Sequence, residues 1–201
     1  MSGTERLIVI DTETCGFGRQ AQLVELGAAV VEVRTGMVTD LRSMLIDPGR
    51  AIPRDATAIH GITDAMVRGK PDANSVMLKF HKWCLQFGPV PVFAAHNAPF
   101  DRDVLKAAFE AAGFEMRQTW PMFCTLKLAR RLVKKGDRHN GETMVGHGLE
   151  SLVKFYGIAH TNLHRAAGDV RATAALLAIL MNLPIAKTST LEDLHSAPYR
   201  L

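Results

Sequence analysis

The order of strand-like and helix-like segments constrains the fold of this chain most. Its first part consists of apolar strand-like segments, two of which are joined as a hairpin through Thr35-Gly36. Its second part alternates a short apolar strand with amphipathic or apolar helical segments. Strands first, followed by alternating strands and helices, favour an α/β domain with a mixed sheet. The predicted strands are residues 5–11, 24–33, 37–46 and 92–95, and the predicted helices are 72–87, 99–112, 127–135, 149–156 and 166–182.

The remaining segments are predicted to be turns and loops. Residues 53–71 are interpreted as short helical turns, and residues 136–148, which contain four glycines, as a mobile loop. Residues 120–126 are ambiguous between a strand and the start of a helix. We expect one domain at residues 1–183 and an irregular C-terminal tail at 184–201.

Composition narrows the class of protein. With 201 residues, 47% hydrophobic and 22% charged, the chain suits one globular domain. No apolar run is long enough to cross a membrane, and no secretory signal is visible. Cys15, Cys84 and Cys124 have neither zinc spacing nor a disulfide framework, so we expect a cytoplasmic protein. The net charge of +4 and a pI of about 9.1 weakly favour a polyanionic partner.

Two acids stand at the end of the first strand. Asp11 and Glu13 follow the apolar run Leu7–Ile10 and are two residues apart, so both side chains point to one face of the strand. Their mutual repulsion raises the pKa of at least one acid unless a cation lies between them. A hard divalent metal bound through oxygen is the simplest solution. The alternative is a strand-end turn with two solvated acids.

Two more acids occur where a helix begins. Asp101 lies in the first turn of a helix that follows the strand at 92–95, and Asp169 heads the last apolar helix. Asp101 alone could be a dipole or cap residue of its helix, and Asp169 could face a neighbouring sheet end. His164 lies five residues before Asp169 and could be a solvated loop residue. Together, four carboxylates match the charge of two divalent cations, and a histidine can accept a proton from water at neutral pH.

Three motifs resemble those of one enzyme family. They are DTETCG at residues 11–16, HNAPFD at 96–101 and HRAAGD at 164–169. The chain resembles the DnaQ-like 3′–5′ exonucleases of the subgroup named for four acids and a histidine (DEDDh). That family includes the proofreading subunits of bacterial DNA polymerase III and ribonuclease T. Residues 59–63 and 123–130 also resemble family segments, and the resemblance covers residues 5–182.

The resemblance implies a fold and a catalytic set. The fold is the ribonuclease H-like one, a five-stranded mixed sheet with helices on both faces. Asp11, Glu13, Asp101 and Asp169 are implied to hold two divalent cations, Mg²⁺ or Mn²⁺, and His164 is implied to be the general base.

The resemblance also implies which residues receive the 3′-terminal nucleotide. Phe17 would stack on or wedge beside the last base, or else pack on the domain as a surface aromatic. His60 would lie near the same nucleotide, or else be a packed turn histidine. We expect Phe100 to be a core residue. The expected substrate contacts are Thr12, Thr14, Cys15, Gly16, Phe17, His60 and Asn97.

A run of basic residues is independent of the family resemblance. Its members recur at helical spacing and could follow a phosphate backbone, or could form a solvated helix face. His139 and His147, in the glycine-rich loop, are interpreted as loop residues and not ligands. The basic residues are Lys127, Arg130, Arg131, Lys134, Lys135 and Arg138.

The sequence predicts a metal-dependent exonuclease that acts on the 3′ ends of single-stranded or frayed DNA, in proofreading or repair. RNA ends are the alternative substrate, because the sequence does not locate a contact to the ribose 2′-hydroxyl. A non-catalytic nucleic-acid-binding or polymerase-associated module is a third reading, and the five intact residues argue against it. The expected partners are single-stranded nucleic acid 3′ ends and, for a proofreading subunit, a DNA polymerase. Residues 187–201 are a candidate docking segment for that polymerase or a disordered terminus, and the sequence does not fix an oligomeric state.

Overall fold

Five strands form the central sheet of the computed structural model, which describes residues 6–16, 21–114, 120–160, 164–186, 189 and 199–200. A sixth, very short strand extends this sheet, and two more form a separate hairpin. The strands are β1 (Arg6–Thr14), β2 (Leu23–Glu32), β3 (Val38–Leu45), β4 (Phe93–Ala95), β5 (Pro121–Cys124), β6 (Arg138–His139), β7 (Glu142–Thr143) and β8 (Tyr199–Arg200).

The sheet is mixed, as the sequence predicts. Strands β1, β2 and β3 are antiparallel neighbours, whereas β4 and β5 run parallel to β1. The order across the sheet is β3-β2-β1-β4-β5, and β8 pairs antiparallel with the outer edge of β5. The carboxyl ends of β1 and β4 therefore meet at one edge of the sheet, which is the usual place for a site in an α/β fold.

Seven helices accompany the described strands. Helix α3 has an N-cap, because the Asp72 carboxylate accepts the Ser75 backbone N–H at 2.7 Å. In the described ranges, no helix is both long and apolar enough to cross a membrane. The helices are α1 (Arg54–His60), α2 (Asp64–Val67), α3 (Ala73–Cys84), α4 (Ala98–Ala111), α5 (Thr125–Leu132), α6 (Leu149–Tyr156) and α7 (Ala166–Asn182).

Each face of the sheet carries its own hydrophobic core. Along β1, Leu7 and Val9 pack with α5, α6 and α7, whereas Ile8 and Ile10 pack with α3 and α4. All four side chains are buried. The period of two along a strand thus confirms the prediction of helices on both faces.

A close approach between β2 and α7 sets the position of that helix. A Cβ atom added to Gly27 would lie 2.7 Å from the backbone carbon and oxygen of Ala166. Only glycine allows the first residue of α7 to approach β2 so closely. The first turn of α7, which carries Asp169, is therefore seated directly against the sheet.

The segment after β5 differs from the prediction. Helix α5 ends at Leu132 and not at residue 135, because Val133 is extended, buried and part of the core beneath it. Part of the predicted mobile loop is a hairpin made of β6 and β7. Asn140 and Gly141 both have positive φ at its turn, and Asn-Gly is a strong hairpin signal that the sequence analysis missed.

The tail is also more regular than expected at one point. Tyr199 and Arg200 form the two-residue strand that pairs with Pro121 and Met122. This pairing satisfies backbone groups at an edge of the sheet that would otherwise be open.

Candidate active site

Acidic side chains from β1 and α7 meet at the carboxyl end of β1. One carboxylate oxygen each of Asp11, Glu13 and Asp169 lies within 4.8 Å of the other two. Asp11 and Glu13 share a face because they are two apart on a strand, and Asp169 comes from the first turn of α7. The structure thus brings together three of the four acids that the sequence singled out.

The fourth acid, Asp101, is connected to this group through a hydrogen bond. It lies in the first turn of α4 and is 3% exposed. Its Oδ1 accepts the Thr12 hydroxyl at 2.8 Å, and Thr12 stands between Asp11 and Glu13 on β1. Thr12 therefore positions Asp101 beside the group and does not itself face open solvent.

Burial and mutual repulsion raise the pKa values of these acids. Burial, then the charges of Asp101 and Asp169, raise the pKa of Asp11 well above its usual value. Burial and the charge of Asp169 raise the pKa of Glu13 to about 8, and burial raises that of Asp101 to about 7. Such a cluster is unfavourable as a set of bare charges. Its oxygen donors and negative charge fit hard divalent cations such as Mg²⁺ or Mn²⁺.

Two histidines approach Asp169 from the segment before α7. His164 is exposed and lines a cavity of about 340 Å³ together with Asp11 and Asp169. Its backbone is left-handed, with φ of 61°, which is uncommon for a residue other than glycine. The structure thus places His164 at the cavity that Asp11 and Asp169 also line.

His160 was not singled out from the sequence. Its Nε2 lies 3.1 Å from Oδ1 of Asp169, and its side chain is 4% exposed. In the described part of the chain, the buried Nδ1 of His160 has no hydrogen-bond partner. The ring therefore donates Nε2–H to the carboxylate, which fixes the orientation of Asp169.

His96 connects the same cavity to the glycine-rich segment. Its Nδ1 lies 2.9 Å from the Thr125 hydroxyl, and its Nε2 lies 3.0 Å from the His147 carbonyl oxygen. The carbonyl can only accept, so Nε2 donates and Nδ1 accepts from Thr125. Burial lowers the pKa of His96 to about 4, so this ring is neutral at physiological pH. The backbone carbonyl of His147 therefore fixes the orientation of the His96 ring.

A buried ion pair that the sequence analysis also missed lies next to the acids. Glu25 of β2 is 1% exposed and forms a two-pronged contact with Arg165. The sequence did contain a sign of this ion pair, because Glu25 lies within the continuous apolar run of β2. An acid in such a position is rarely buried without a partner. Arg165 directly follows His164.

A second cavity, of about 120 Å³, opens beside Glu13. His60 is buried at its wall, accepts the Ile62 backbone N–H at Nδ1 (3.0 Å) and donates Nε2–H to the Thr14 carbonyl (3.3 Å). Burial lowers the pKa of His60. His60 is therefore a packed turn histidine, and it also lines this cavity. The cavity is lined by Thr12, Glu13, Thr14, Gly16, Ala56, Ile59, His60 and Phe100.

Two expected substrate contacts, Cys15 and Asn97, are not among the described residues that line this cavity. The Cys15 side chain is buried in a small core with Ile52 and Ile62. Asn97 is exposed in a left-handed conformation at the start of α4 and makes no side-chain capping bond. Phe17 lies outside the described residues. Phe100, expected in the core, packs partly against it and also lines the cavity.

The basic residues after β5 are all exposed but do not form one helical stripe. Only Lys127, Arg130 and Arg131 lie on α5. Lys134 and Lys135 follow the end of this helix, and Arg138 belongs to β6. The helical spacing in the sequence therefore continued past the end of the helix itself.

Comparison with known families identifies the chain. A family model described as Exonuclease matches residues 8–177. The chain belongs to this exonuclease family. It is an enzyme, and its predicted membership among the DnaQ-like exonucleases is confirmed.

Individual relatives of this exonuclease agree. Exodeoxyribonuclease 10 of Escherichia coli (strain K12) is 36% identical over 194 residues, which cover 96% of this chain and 76% of the relative. The PolC-type DNA polymerase III of Clostridium perfringens is 32% identical over 174 residues, 86% of this chain but 11% of that protein.

Solved structures show the same architecture. Exonuclease X in complex with 5′ overhanging duplex DNA superposes with a TM-score of 0.66 at 34% identity, over 94% of this chain and 98% of that one. Escherichia coli exonuclease I in complex with a dT13 oligonucleotide gives a TM-score of 0.72 at 20% identity. The match covers 88% of this chain and 41% of that one. The second likeness concerns the fold alone.

Proposed function

We propose that this exonuclease hydrolyses the terminal phosphodiester bond at the 3′ end of DNA and releases nucleoside monophosphates. The three-acid group of Asp11, Glu13 and Asp169, with Asp101 one hydrogen bond away, carries the proposal. DNA is favoured because Exodeoxyribonuclease 10 is named for it and the Exonuclease X structure contains it. Removal of damaged or mismatched ends is the cellular role that this chemistry would serve.

The four acids would hold two divalent cations, Mg²⁺ or Mn²⁺. Their carboxylates bring a formal charge of about −4, which two such ions neutralise. When bound, the ions supply activation of a water molecule and stabilisation of charge on the phosphate. The raised pKa values of Glu13 and Asp101 support this assignment, since a bound cation would displace the protons that these acids otherwise hold.

His164 would act as the general base. It borders the cavity that also contains Asp11 and Asp169, and an imidazole can accept a proton at neutral pH. The proton of the attacking water goes to the ring as the new P–O bond forms. The bond from phosphorus to the 3′ oxygen of the preceding nucleotide then breaks, and that oxygen takes a proton from solvent.

The second cavity would receive the terminal nucleotide. It adjoins Glu13, and its walls combine the backbone of β1 with the apolar side chains of Ile59 and Phe100. Apolar and aromatic walls accept any base, which suits an enzyme that must process any end. Thr12, Thr14, Gly16 and His60 would contribute to this cavity, whereas Cys15 would act only through its backbone.

The experiment uses 5′-labelled single-stranded DNA and RNA of one sequence. The purified protein is incubated with Mg²⁺, with Mn²⁺ or with a chelator, beside the Asp11→Asn variant. We expect stepwise shortening of the DNA from the 3′ end that requires both the metal and Asp11. Faster shortening of RNA would overturn the choice of DNA, and no shortening of either would overturn the proposed activity.

The exposed basic residues after β5 would contact the phosphate backbone. The variant with Arg130, Arg131 and Lys134 neutralised should bind single-stranded DNA more weakly. Because each lost phosphate contact reduces the slope of log K against log[salt] by about 1, its salt dependence should also be flatter. An unchanged slope in a titration at several salt concentrations would contradict this contact.

Two further assignments belong to the proposal. A cytoplasmic location fits a DNA substrate. A DNA polymerase would be the partner of a proofreading form, in line with the similarity to PolC-type polymerases, of which this chain covers 11%. Co-purification of the tagged exonuclease with a polymerase would separate a proofreading subunit from a nuclease that acts alone.

A further inference from the structure

The Glu25 carboxylate is buried, yet fully provided with hydrogen-bond donors. It accepts two hydrogen bonds from Arg165, from Nε and from Nη2, each at 2.9 Å. It also accepts hydrogen bonds from the Ala166 backbone N–H at 3.1 Å and from the Ser43 hydroxyl at 2.7 Å. Burial alone would raise the pKa of Glu25, but these bonds outweigh it and lower the pKa. Glu25 and Arg165 are therefore both charged at neutral pH.

This ion pair joins the two sides of the active site. On β2, Glu25 stands directly opposite Glu13 of β1. Arg165, 140 residues later, directly follows His164 and is the last residue before α7. One contact therefore ties the segment that carries the general base to the strand beside the metal ligands.

The ion pair fixes the orientation of the Arg165 guanidinium as well as its distance from the Glu25 carboxylate. The guanidinium is planar and meets the carboxylate with two parallel bonds, which a single-point contact cannot reproduce. Glu25 also accepts the first N–H of α7, and Gly27 lets Ala166 approach β2 without a side chain between them. The start of α7 is thus held at three points around one carboxylate.

His164 depends on this anchoring. Its left-handed backbone is costly for a histidine and persists only where neighbouring contacts enforce it. The neighbouring contact on its C-terminal side is the Arg165 side chain. The Arg165 side chain is 34% exposed, and an ion pair that is partly open to water adds little net stability, so stability alone does not account for it.

We propose that Glu25 and Arg165 are positioning residues that hold His164 and Asp169 in register with Asp11 and Glu13. The inference rests on the proposed function for the chemistry of these residues, but not for their geometry. Neither Glu25 nor Arg165 need touch the substrate.

The test compares Arg165→Met and Arg165→Lys with the wild type. Displacement of catalytic groups by about 1 Å can cost a factor of about 100, so Arg165→Met should lower turnover about that much. The KM for the oligonucleotide should stay within about threefold, because binding of the strand is not changed. Arg165→Lys keeps the charge but not the two-pronged contact and should restore only part of the rate.

A second readout does not require catalysis. Calorimetric titration with Mn²⁺ should show affinity lowered about tenfold in Arg165→Met, because Asp169 is no longer held beside Asp11 and Glu13. Glu25→Gln keeps a hydrogen-bonding side chain of the same shape and should lower the Mn²⁺ affinity by a similar factor. This variant replaces Arg165→Met in the test if Arg165→Met does not fold. The matched control is Arg42→Met, which breaks the exposed pair of Arg42 with Asp40 and should leave rate and affinity unchanged.

The outcomes separate the two proposals. A wild type that shortens neither DNA nor RNA overturns the proposed function, and the Mn²⁺ titration still decides the positioning role. Folded Arg165 variants with wild-type turnover and wild-type Mn²⁺ affinity overturn the positioning role. A loss of rate matched by an equal rise in KM, with Mn²⁺ affinity unchanged, would also overturn it.

Discussion

Asp11 and Glu13 stand on a strand that is paired with β2 along its whole length. Asp169, in contrast, lies in the first turn of α7, where His160 bonds to Asp169 and Arg165 bonds to Glu25 through their side chains. We call the first set, with Thr12 and the Asp101 bonded to it, the β1 half of the site. We call His160, His164 and Asp169 the α7 half. In the β1 half the backbone of a paired strand sets the direction of Asp11 and Glu13, and one hydrogen bond from Thr12 adds Asp101. In the α7 half side-chain contacts have the larger part.

The contrast shows how such a site can be assembled. A paired strand fixes where consecutive side chains point, so two acids two residues apart need no further help to converge. A helix that begins after a loop has more freedom, which long-range contacts must remove. In the α7 half these contacts come from the His160 ring and the Arg165 guanidinium.

The largest effect should come from removing one acid from each half. Asp101→Asn and Asp169→Asn keep the size of each side chain but remove its charge, and each should lower turnover about a thousandfold or more. The double variant should be no slower than the slower single variant, because both halves serve one metal centre. Single-turnover assays with 5′-labelled DNA measure this, and losses that multiply in the double variant would show that the halves act independently.

His164→Ala should come next. Loss of a general base should reduce turnover by a factor of about 100 to 10,000, while calorimetry should show Mn²⁺ binding retained. His139→Ala is the matched control, since His139 lies on the β6–β7 hairpin and packs against Phe155 and Tyr156. Turnover near that of the wild type in His164→Ala would contradict its role as base.

Removal of the hydrogen bond to Asp169 or to Asp101 should have a smaller effect, and the effect on Mn²⁺ affinity should differ between the two halves. His160→Leu removes the hydrogen bond to Asp169, and Mn²⁺ affinity should fall by a factor of about 10 to 100. Thr12→Val removes the matching bond to Asp101 and should cost less, because backbone N–H groups at Thr12 and Asp101 also stabilise that carboxylate.

His160→Gln supplies the control for this pair of variants. Its amide can still donate to Asp169, so Mn²⁺ affinity should recover in part. Equal losses in His160→Leu and Thr12→Val would remove the distinction between the halves.

The β1 half could be predicted from the sequence because its signals are local. Asp11 and Glu13 follow an apolar strand, and strand alternation gives their direction without knowledge of any partner. The mixed sheet followed in the same way from the order and periodicity of the segments, whereas the helices on both faces were implied by the family resemblance. The bounds of α7 were also predicted correctly, since its apolar run is long and continuous.

The contacts of the α7 half could not be read from spacing. Glu25 and Arg165 are 140 residues apart, so their pairing depends on the register of β2 and the seating of α7 on Gly27. His160 was overlooked because nothing local shows that its ring turns inward to Asp169. The end of α5 was misplaced for a related reason, since burial of Val133 in the core overrides the helical spacing of the basic residues.

The last and smallest expected effect is on stability as a function of pH. Glu13 has a pKa raised from 4.5 to about 8, so the folded, metal-free protein binds a proton that the unfolded chain releases above pH 4.5. Its contribution to stability is therefore greatest at low pH and is lost as the pH rises toward 8. Asp169 also has a raised pKa owing to burial, but the hydrogen bond from His160 opposes the shift. Glu13→Gln should therefore flatten the pH dependence more than Asp169→Asn does.

Thermal unfolding in chelator between pH 5.5 and 8 measures this difference. The melting temperature of the wild type should fall with rising pH, and that of Glu13→Gln should fall less, by a few degrees on the scale of about 2–4 °C per kcal/mol for a chain of this size. Added Mn²⁺ should stabilise the wild type more at pH 8 than at pH 5.5, because binding requires the acids to lose their protons. A larger flattening by Asp169→Asn would mean that the α7 half, and not the paired strand, carries the main electrostatic strain of the site.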